Sequence, residues 1–136
     1  MSDAERFTPL AQERFVALTT FRKDGTPVPT TVWIAGDGAD LVVTTPAGSG
    51  KVKRLRRDPH VQVVPSGRRG QLQPGATPVD GSAAIVDPAQ DPGEFARLSA
   101  LFPAKYGLEY RVMMVIEKVV TRGKGADRFM LRISPS

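Results

Sequence analysis

The sequence predicts a mainly β fold: a small antiparallel barrel, closed or split, carrying two or three short helices. Three observations predict it. Apolar and β-branched residues recur in runs of about five to eight, the length of ordinary strands. The 13 Gly and 12 Pro of the 136 residues favour many short elements joined by turns. The runs number six or seven in mostly hairpin order, a count that an antiparallel barrel accommodates with few open edges. At this length a single domain over residues 1–136 is expected, built on one core.

The elements follow in order. A short helix is expected from Pro9 to Glu13, with Thr8 as its cap and Pro9 in the first helical position. Phe15 to Phe21 reads as a strand, and Arg22-Lys23-Asp24-Gly25 as a reversal whose Asp-Gly is a strong hairpin signal. A second strand runs from Val28 to Ala35, with Pro27 and Pro29 near its start where a ladder bond can be spared. Gly36-Asp37-Gly38 turns the chain into a third strand, Asp40 to Thr45, which Pro46-Ala47-Gly48 ends. Ser49 to Arg57 is the helical interruption: Ser49 caps it, Asp58-Pro59 stops it, and Val52 and Leu55 share its inner face. His60 to Pro65 makes a fourth strand. Ser66 to Pro78 is a Gly-, Pro- and Gln-rich loop, and Val79 to Val86 a fifth strand in which Gly81 marks an expected bulge. Asp91-Pro92 starts a helix to Phe102, with Glu94 at capping-box spacing. Two last strands, Tyr110 to Thr121 and Asp127 to Ile133, flank Arg122-Gly123-Lys124-Gly125.

Composition narrows the chemistry. No run approaches the roughly 20 apolar residues that span a bilayer, and the N-terminus has no apolar signal region. With no Cys there is no disulfide framework, and a reduced, cytoplasmic setting fits. His60 is the single histidine. Zinc, copper and iron–sulfur sites need more ligands than that, and hydrolysis through a Ser or Cys paired with His is a poor fit. His60 itself reads as a partly exposed residue at a strand start.

Charge is unevenly placed. Residues 51–69 carry a net +6, against a total of +5 for the whole chain, so the basic patch is local and suits an anionic partner. A helix N-terminus presents unpaired N–H groups and partial positive charge. Ser49 (hydroxyl), Gly50 (close backbone approach) and Lys51 (ammonium) would make that terminus an anion cradle, with Lys53, Arg54 or Arg57 reaching a second anionic group. The pattern is neither a Walker loop nor a dinucleotide fingerprint. On the helix alone, a solvated basic face is an equal reading. Nucleic acid is disfavoured: no aromatic lies between residues 34 and 94, where a stacking platform would accompany the charge. Trp33 reads as core, subunit interface or a wall beside a planar cofactor, and Met113-Met114 as core or dimer packing.

Taken in order, Phe15-Val16-Ala17-Leu18-Thr19-Thr20, Asp24-Gly25-Thr26-Pro27, Pro29-Thr30-Thr31-Val32-Trp33, Thr44-Thr45, Ser49-Gly50-Lys51-Val52-Lys53-Arg54-Leu55 and Arg57-Asp58-Pro59-His60-Val61 form a specific set. The chain resembles the pyridoxamine-phosphate-oxidase-like split β-barrels, especially the branch that uses the deazaflavin coenzyme F420. The resemblance implies an FMN-binding-like split barrel, a homodimer, and a cofactor held between protomers. It implies that Thr30, Thr31, Val32 and Trp33 line the ring or ribityl side and that Thr44 and Thr45 bond the chain. Ser49, Gly50, Lys51 and Arg54 would hold phosphate, and Lys53 and Arg57 the anionic tail. The implied activity is hydride transfer from reduced F420 to an unsaturated small molecule; FMN is the alternative cofactor, with oxidase or electron-transfer activity. A non-catalytic F420 or haem binder is a further alternative. Tyr106, Lys105 and Arg69 are the candidate proton donors, and Arg68-Arg69 a rim that attracts an acidic substrate. The chain lacks the long C-terminal segment of the true oxidases, so vitamin B6 oxidation is not expected.

Overall fold

Alternation along the strands sorts side chains to the two faces of one curved sheet. In the computed structural model, which describes residues 3–72, 74–120 and 127–135, that sheet is a closed barrel. Its six strands are β1 (Phe15–Phe21), β2 (Pro27–Asp37), β3 (Asp40–Pro46), β4 (His60–Ser66), β5 (Val79–Val86) and β6 (Arg128–Pro135). They are ordered β1-β2-β3-β6-β5-β4, and every pairing is antiparallel. Helix α1 (Asp3–Phe7) and a 3-10 turn (Thr8–Gln12) precede the barrel. Helix α2 (Gly50–Arg57) lies between β3 and β4, and α3 (Pro92–Ser99), α4 (Leu101–Tyr106) and α5 (Leu108–Val120) between β5 and β6.

The inward residues of all six strands form one cluster that includes Val16, Leu18, Ile34, Val43, Val63, Val79 and Leu131. Phe7 and Leu10 join it from the N-terminal turns, and Leu55 from α2. Each fully buried Val or Leu of this kind contributes about 1.5–3 kcal/mol. A second apolar layer lies outside the barrel. There Ala35, Val42 and Met130 from the outer faces of β2, β3 and β6 meet Leu98, Phe102, Tyr106 and Tyr110 of the three consecutive helices.

Most local expectations hold, and the exceptions have physical causes. Residues 108–120 form a helix where a strand was expected. Tyr110 and Met114 pack on the barrel while Leu108, Val112, Val115 and Val119 face outward. The segment is therefore apolar on both faces, and its periodicity resembles a buried strand. The expected helix from Asp91 to Phe102 is two helices joined at Ala100. Pro103 sits in the first turn of the second helix, where its missing N–H costs nothing. Asp91 does cap α3, its Oδ1 accepting from Glu94 N–H at 3.2 Å. The capping box stays open because Asp91 N–H donates to the Asp87 carbonyl and Glu94 turns to arginines. Thr8 is not a cap but the first residue of the 3-10 turn, which Phe7 precedes in helical conformation. Gly81 makes no bulge: its register with Val61 and Pro135 is regular. A Cβ there would lie 3.0 Å from both Ile133 and the Ser134 carbonyl oxygen, so close strand packing is the reason for glycine. At the first hairpin Gly25 takes a φ of 89°, which only glycine adopts without strain. The expected Arg122–Gly125 reversal lies outside the described residues.

Candidate functional site

Strand β2 changes partners half-way along. Pro27 to Trp33 pair with β1, and Ile34 to Asp37 pair with β3. Strand β3 nevertheless continues past Val43, paired to β6 as far as Pro46↔Arg128. Beyond Ile34↔Val43 the two strands therefore part, and a cleft of about 430 Å³ opens between them. Thr31, Val32 and Trp33 form its β2 wall, and Thr44, Thr45 and Pro46 its β3 wall. Lys51, in the first turn of α2, also lines it. Met113, Met114, Ile116 and Glu117 of α5 and Arg128 of β6 complete the lining.

The same change of partner leaves the Ile34 backbone past the end of the β1–β2 ladder, and α4 supplies what the ladder lacks. The Tyr106 hydroxyl accepts from Ile34 N–H at 3.0 Å. It also lies 2.7 Å from the Arg14 carbonyl and 2.8 Å from that of Ile34, one of which takes its proton. Lys105 Nζ donates to the carbonyls of Ala11 and Ile34, at 2.8 and 2.7 Å, and to that of Glu13. Burial raises the Tyr106 pKa, and burial first lowers that of Lys105. The Tyr106 ring stacks on Trp33 with centroids 4.7 Å apart, and Tyr110 tilts against Trp33 at 5.2 Å. Tyr106 thus backs Trp33, Lys105 ties the Ile34 backbone to the segment before β1, and neither lines the cleft. Arg69 is exposed and also lies off its walls.

Six of the twelve residues singled out from the sequence line the cleft: Thr31, Val32, Trp33, Thr44, Thr45 and Lys51. Thr30 points elsewhere, its hydroxyl donating to the Leu18 carbonyl at 3.2 Å. Ser49 occupies the cap position of α2, but its hydroxyl pairs with that of Thr45 at 3.1 Å rather than capping the helix. Gly50 makes room for a side chain: a Cβ there would meet Arg54 Nη1 at 2.8 Å. Arg54 folds back over this first turn and donates through Nε to the buried Thr20 hydroxyl at 2.6 Å. Arg57 donates to the Phe21 carbonyl at 2.7 Å, and Lys53 is exposed. Arg54, Arg57 and Arg22 therefore form a second cationic cluster beyond the cleft, in which burial and then mutual repulsion depress the Arg54 pKa.

Within the cleft, burial, followed by repulsion from Arg54 and Arg128, pulls the Lys51 ammonium below its ordinary 10.5. Arg128 Nε donates to the Thr44 hydroxyl at 2.9 Å, and its Nη1 to both Glu117 oxygens at 2.7 Å. These α5 and β6 residues were not singled out from the sequence. The Met113-Met114 pair carried a signal only as apolar packing.

A cleft with an aromatic and several apolar lining residues, threonines on both strand walls and an ammonium among its lining groups fits a flat ring system. The ring would carry a polar chain and a phosphate. The family model for pyridoxamine 5'-phosphate oxidase matches residues 3–130. The chain belongs to the pyridoxamine 5'-phosphate oxidase family. No protein of curated function matches the sequence. Among solved structures, a conserved hypothetical protein from Mycobacterium tuberculosis is 25% identical with a TM-score of 0.67, covering 99% of this chain and 81% of its own. An F420 reductase is 22% identical at a TM-score of 0.61, covering 96% and 93%. The haem storage protein HutZ from Vibrio cholerae is 14% identical at 0.64, covering 92% and 83%. The last two likenesses are likenesses of fold. Among the described residues no helix is long and apolar enough to cross a membrane.

Proposed function

We propose that this member of the family is a homodimeric, cytoplasmic oxidoreductase that binds coenzyme F420 in the cleft between β2 and β3 and reduces an unsaturated small molecule. The observation that carries this reading is the layout of charge. Lys51 lines the cleft itself, and Arg22, Arg54 and Arg57 cluster off its walls. A ligand with a phosphate and further anions along a tail matches both positions; FMN, with its phosphate alone, matches only the first. The F420 reductase among the structural neighbours is consistent with it.

The bound coenzyme supplies hydride transfer. The chain's own residues bind and orient. Trp33, held by Tyr106 and Tyr110, offers a rigid aromatic wall. Thr31 on β2 and Thr44 and Thr45 on β3 supply polar lining, with the Ser49 hydroxyl paired to that of Thr45. Lys51 grips phosphate, and Arg54 sits over the first turn of α2 where a tail would leave. The Val115 and Val119 end of the outward stripe on α5, which lies off the cleft walls, is the surface we assign to the second subunit, which would exclude water from the cleft.

The haem reading has less support. His60, the single histidine, lies on β4, where it stacks on Phe21 and meets Asp80 at 2.9 Å, away from the cleft walls. Titration of the purified protein with F420, FMN, haem and an oligonucleotide at physiological salt tests the proposal. Micromolar or tighter F420 binding with much weaker FMN is expected. Equal affinities remove the tail argument, and binding of the oligonucleotide alone overturns the assignment.

A further inference from the structure

A second pocket of about 530 Å³ adjoins the cleft and shares Thr31, Trp33 and Met113 with it. Its other walls are apolar, from Phe15 of β1 and Leu108 and Val112 of α5. Among the described residues its charged groups are Arg68, in the loop after β4, and Glu109 of α5. The Arg68 guanidinium lies 5.5 Å over the Phe15 ring, and its Nη2 donates to Glu109 Oε1 at 2.8 Å. The other oxygen of Glu109 is paired with Arg14. One carboxylate thus faces two guanidiniums, and the Arg68 side chain keeps 70% exposure. Arg69, its neighbour in sequence, is not part of the pocket wall.

We propose that this pocket is the acceptor-substrate site and that it takes flat, apolar molecules bearing a carboxylate, which Arg68 receives. The inference rests on the cofactor reading of the adjoining cleft, since the shared Trp33 and Met113 would bring the two ligands into contact. The apolar walls bind the flat body. The carboxylate completes a cluster of two guanidiniums and two carboxylates, balancing the charge that Glu109 leaves unmatched. A neutral ligand of the same shape gains only the apolar contacts. Arg68 is therefore a specificity-determining residue, and Glu109 sets how strongly it acts by competing for it.

Binding of 2-naphthoate and of its neutral counterpart 2-naphthylmethanol, measured by calorimetry on the full chain with and without F420, tests this. Naphthoate should bind about tenfold more tightly. Arg68→Gln should abolish that preference while F420 affinity stays unchanged, because Arg68 does not line the cleft. Glu109→Gln should widen the preference by freeing both arginines, a gain in affinity that damaged folding cannot imitate. Equal binding of the two probes by the wild type, or a preference that survives Arg68→Gln, overturns the proposal. A naphthoate preference in a protein that fails to bind F420 leaves the carboxylate site standing and removes the cofactor reading. F420 binding without the preference removes only the carboxylate site.

Discussion

Arg128 on β6 and Glu117 on α5 form a two-pronged ion pair at the edge of the cleft, with Arg128 Nη1 2.7 Å from both carboxylate oxygens. Their side chains are 15% and 25% exposed. The pair fastens α5 to the barrel, and the Thr44 hydroxyl, bonded to Arg128 Nε, brings β3 into the same contact. Since α5 forms one wall of the cleft, this contact sets the spacing between that wall and β3.

Breaking it on one side should cost more than breaking it on both. Arg128→Gln leaves Glu117 as a partly buried carboxylate without its guanidinium and should lower stability by about 1–3 kcal/mol. Adding Glu117→Gln should recover part of the loss. Denaturant unfolding of the four proteins in the cycle measures the coupling; strictly additive effects would mean that the two side chains do not act together.

Lys51→Ala removes the ammonium from the cleft and should weaken F420 binding by about 1.5–3 kcal/mol with folding intact. The Lys51 pKa lies below 10.5 in the ligand-free protein, and a bound phosphate raises it again, so binding takes up protons at high pH. Affinity should therefore fall as pH rises through the ligand-free value. Lys51→Arg, which does not titrate in this range, should flatten that fall. Fluorescence titrations across pH measure both effects.

Lys105 and Tyr106 should matter to stability and not to chemistry. Tyr106→Phe leaves the Ile34 N–H without its acceptor and should cost about 1–3 kcal/mol. Lys105→Met strips three carbonyls of a charged donor and should cost a similar amount. Turnover measured well below each variant's melting temperature should be unchanged, with an unaltered pH profile. A selective loss of kcat in Tyr106→Phe would restore it as a proton donor.

Asp37 sits under two arginines. Hydrogen bonds from Arg97, and then Arg132, hold its carboxyl at about 2, below the ordinary 3.8. The group's stabilisation is complete above the unfolded value near 3.8 and is lost as pH falls through about 2. Thermal unfolding between pH 6 and 2 should show this acid limb. Asp37→Asn should lower Tm at pH 6 and shrink the limb, because the lowered pKa is then absent.

Val115→Asp places a charge in the middle of the α5 stripe. Light scattering should show a dimer for the wild type and a monomer for the variant, with weaker F420 binding in the monomer. A wild-type monomer that binds F420 tightly would free the stripe from the assigned interface.

By itself the sequence determined all six strands, the first hairpin and the basic helix, because each follows from near neighbours. Alternation sets strand faces, Asp24-Gly25 sets a reversal, and Val52 with Leu55 sets the buried side of α2. It also singled out the β2, β3 and α2 lining of the cleft, through the ordered segments that carry the resemblance. Tertiary structure alone decided the rest. Residues 108–120 are apolar on two faces, so their period names no secondary structure until the barrel covers Tyr110 and Met114. Glu117 and Arg128 reach the cleft because barrel closure sets β6 beside β3, more than 80 residues away in sequence. Lys105 and Tyr106 are structural because β2 changes partners at Ile34, an event with no local signature. Strand pairing is a contest among distant edges, and the winner is set by the whole closed sheet.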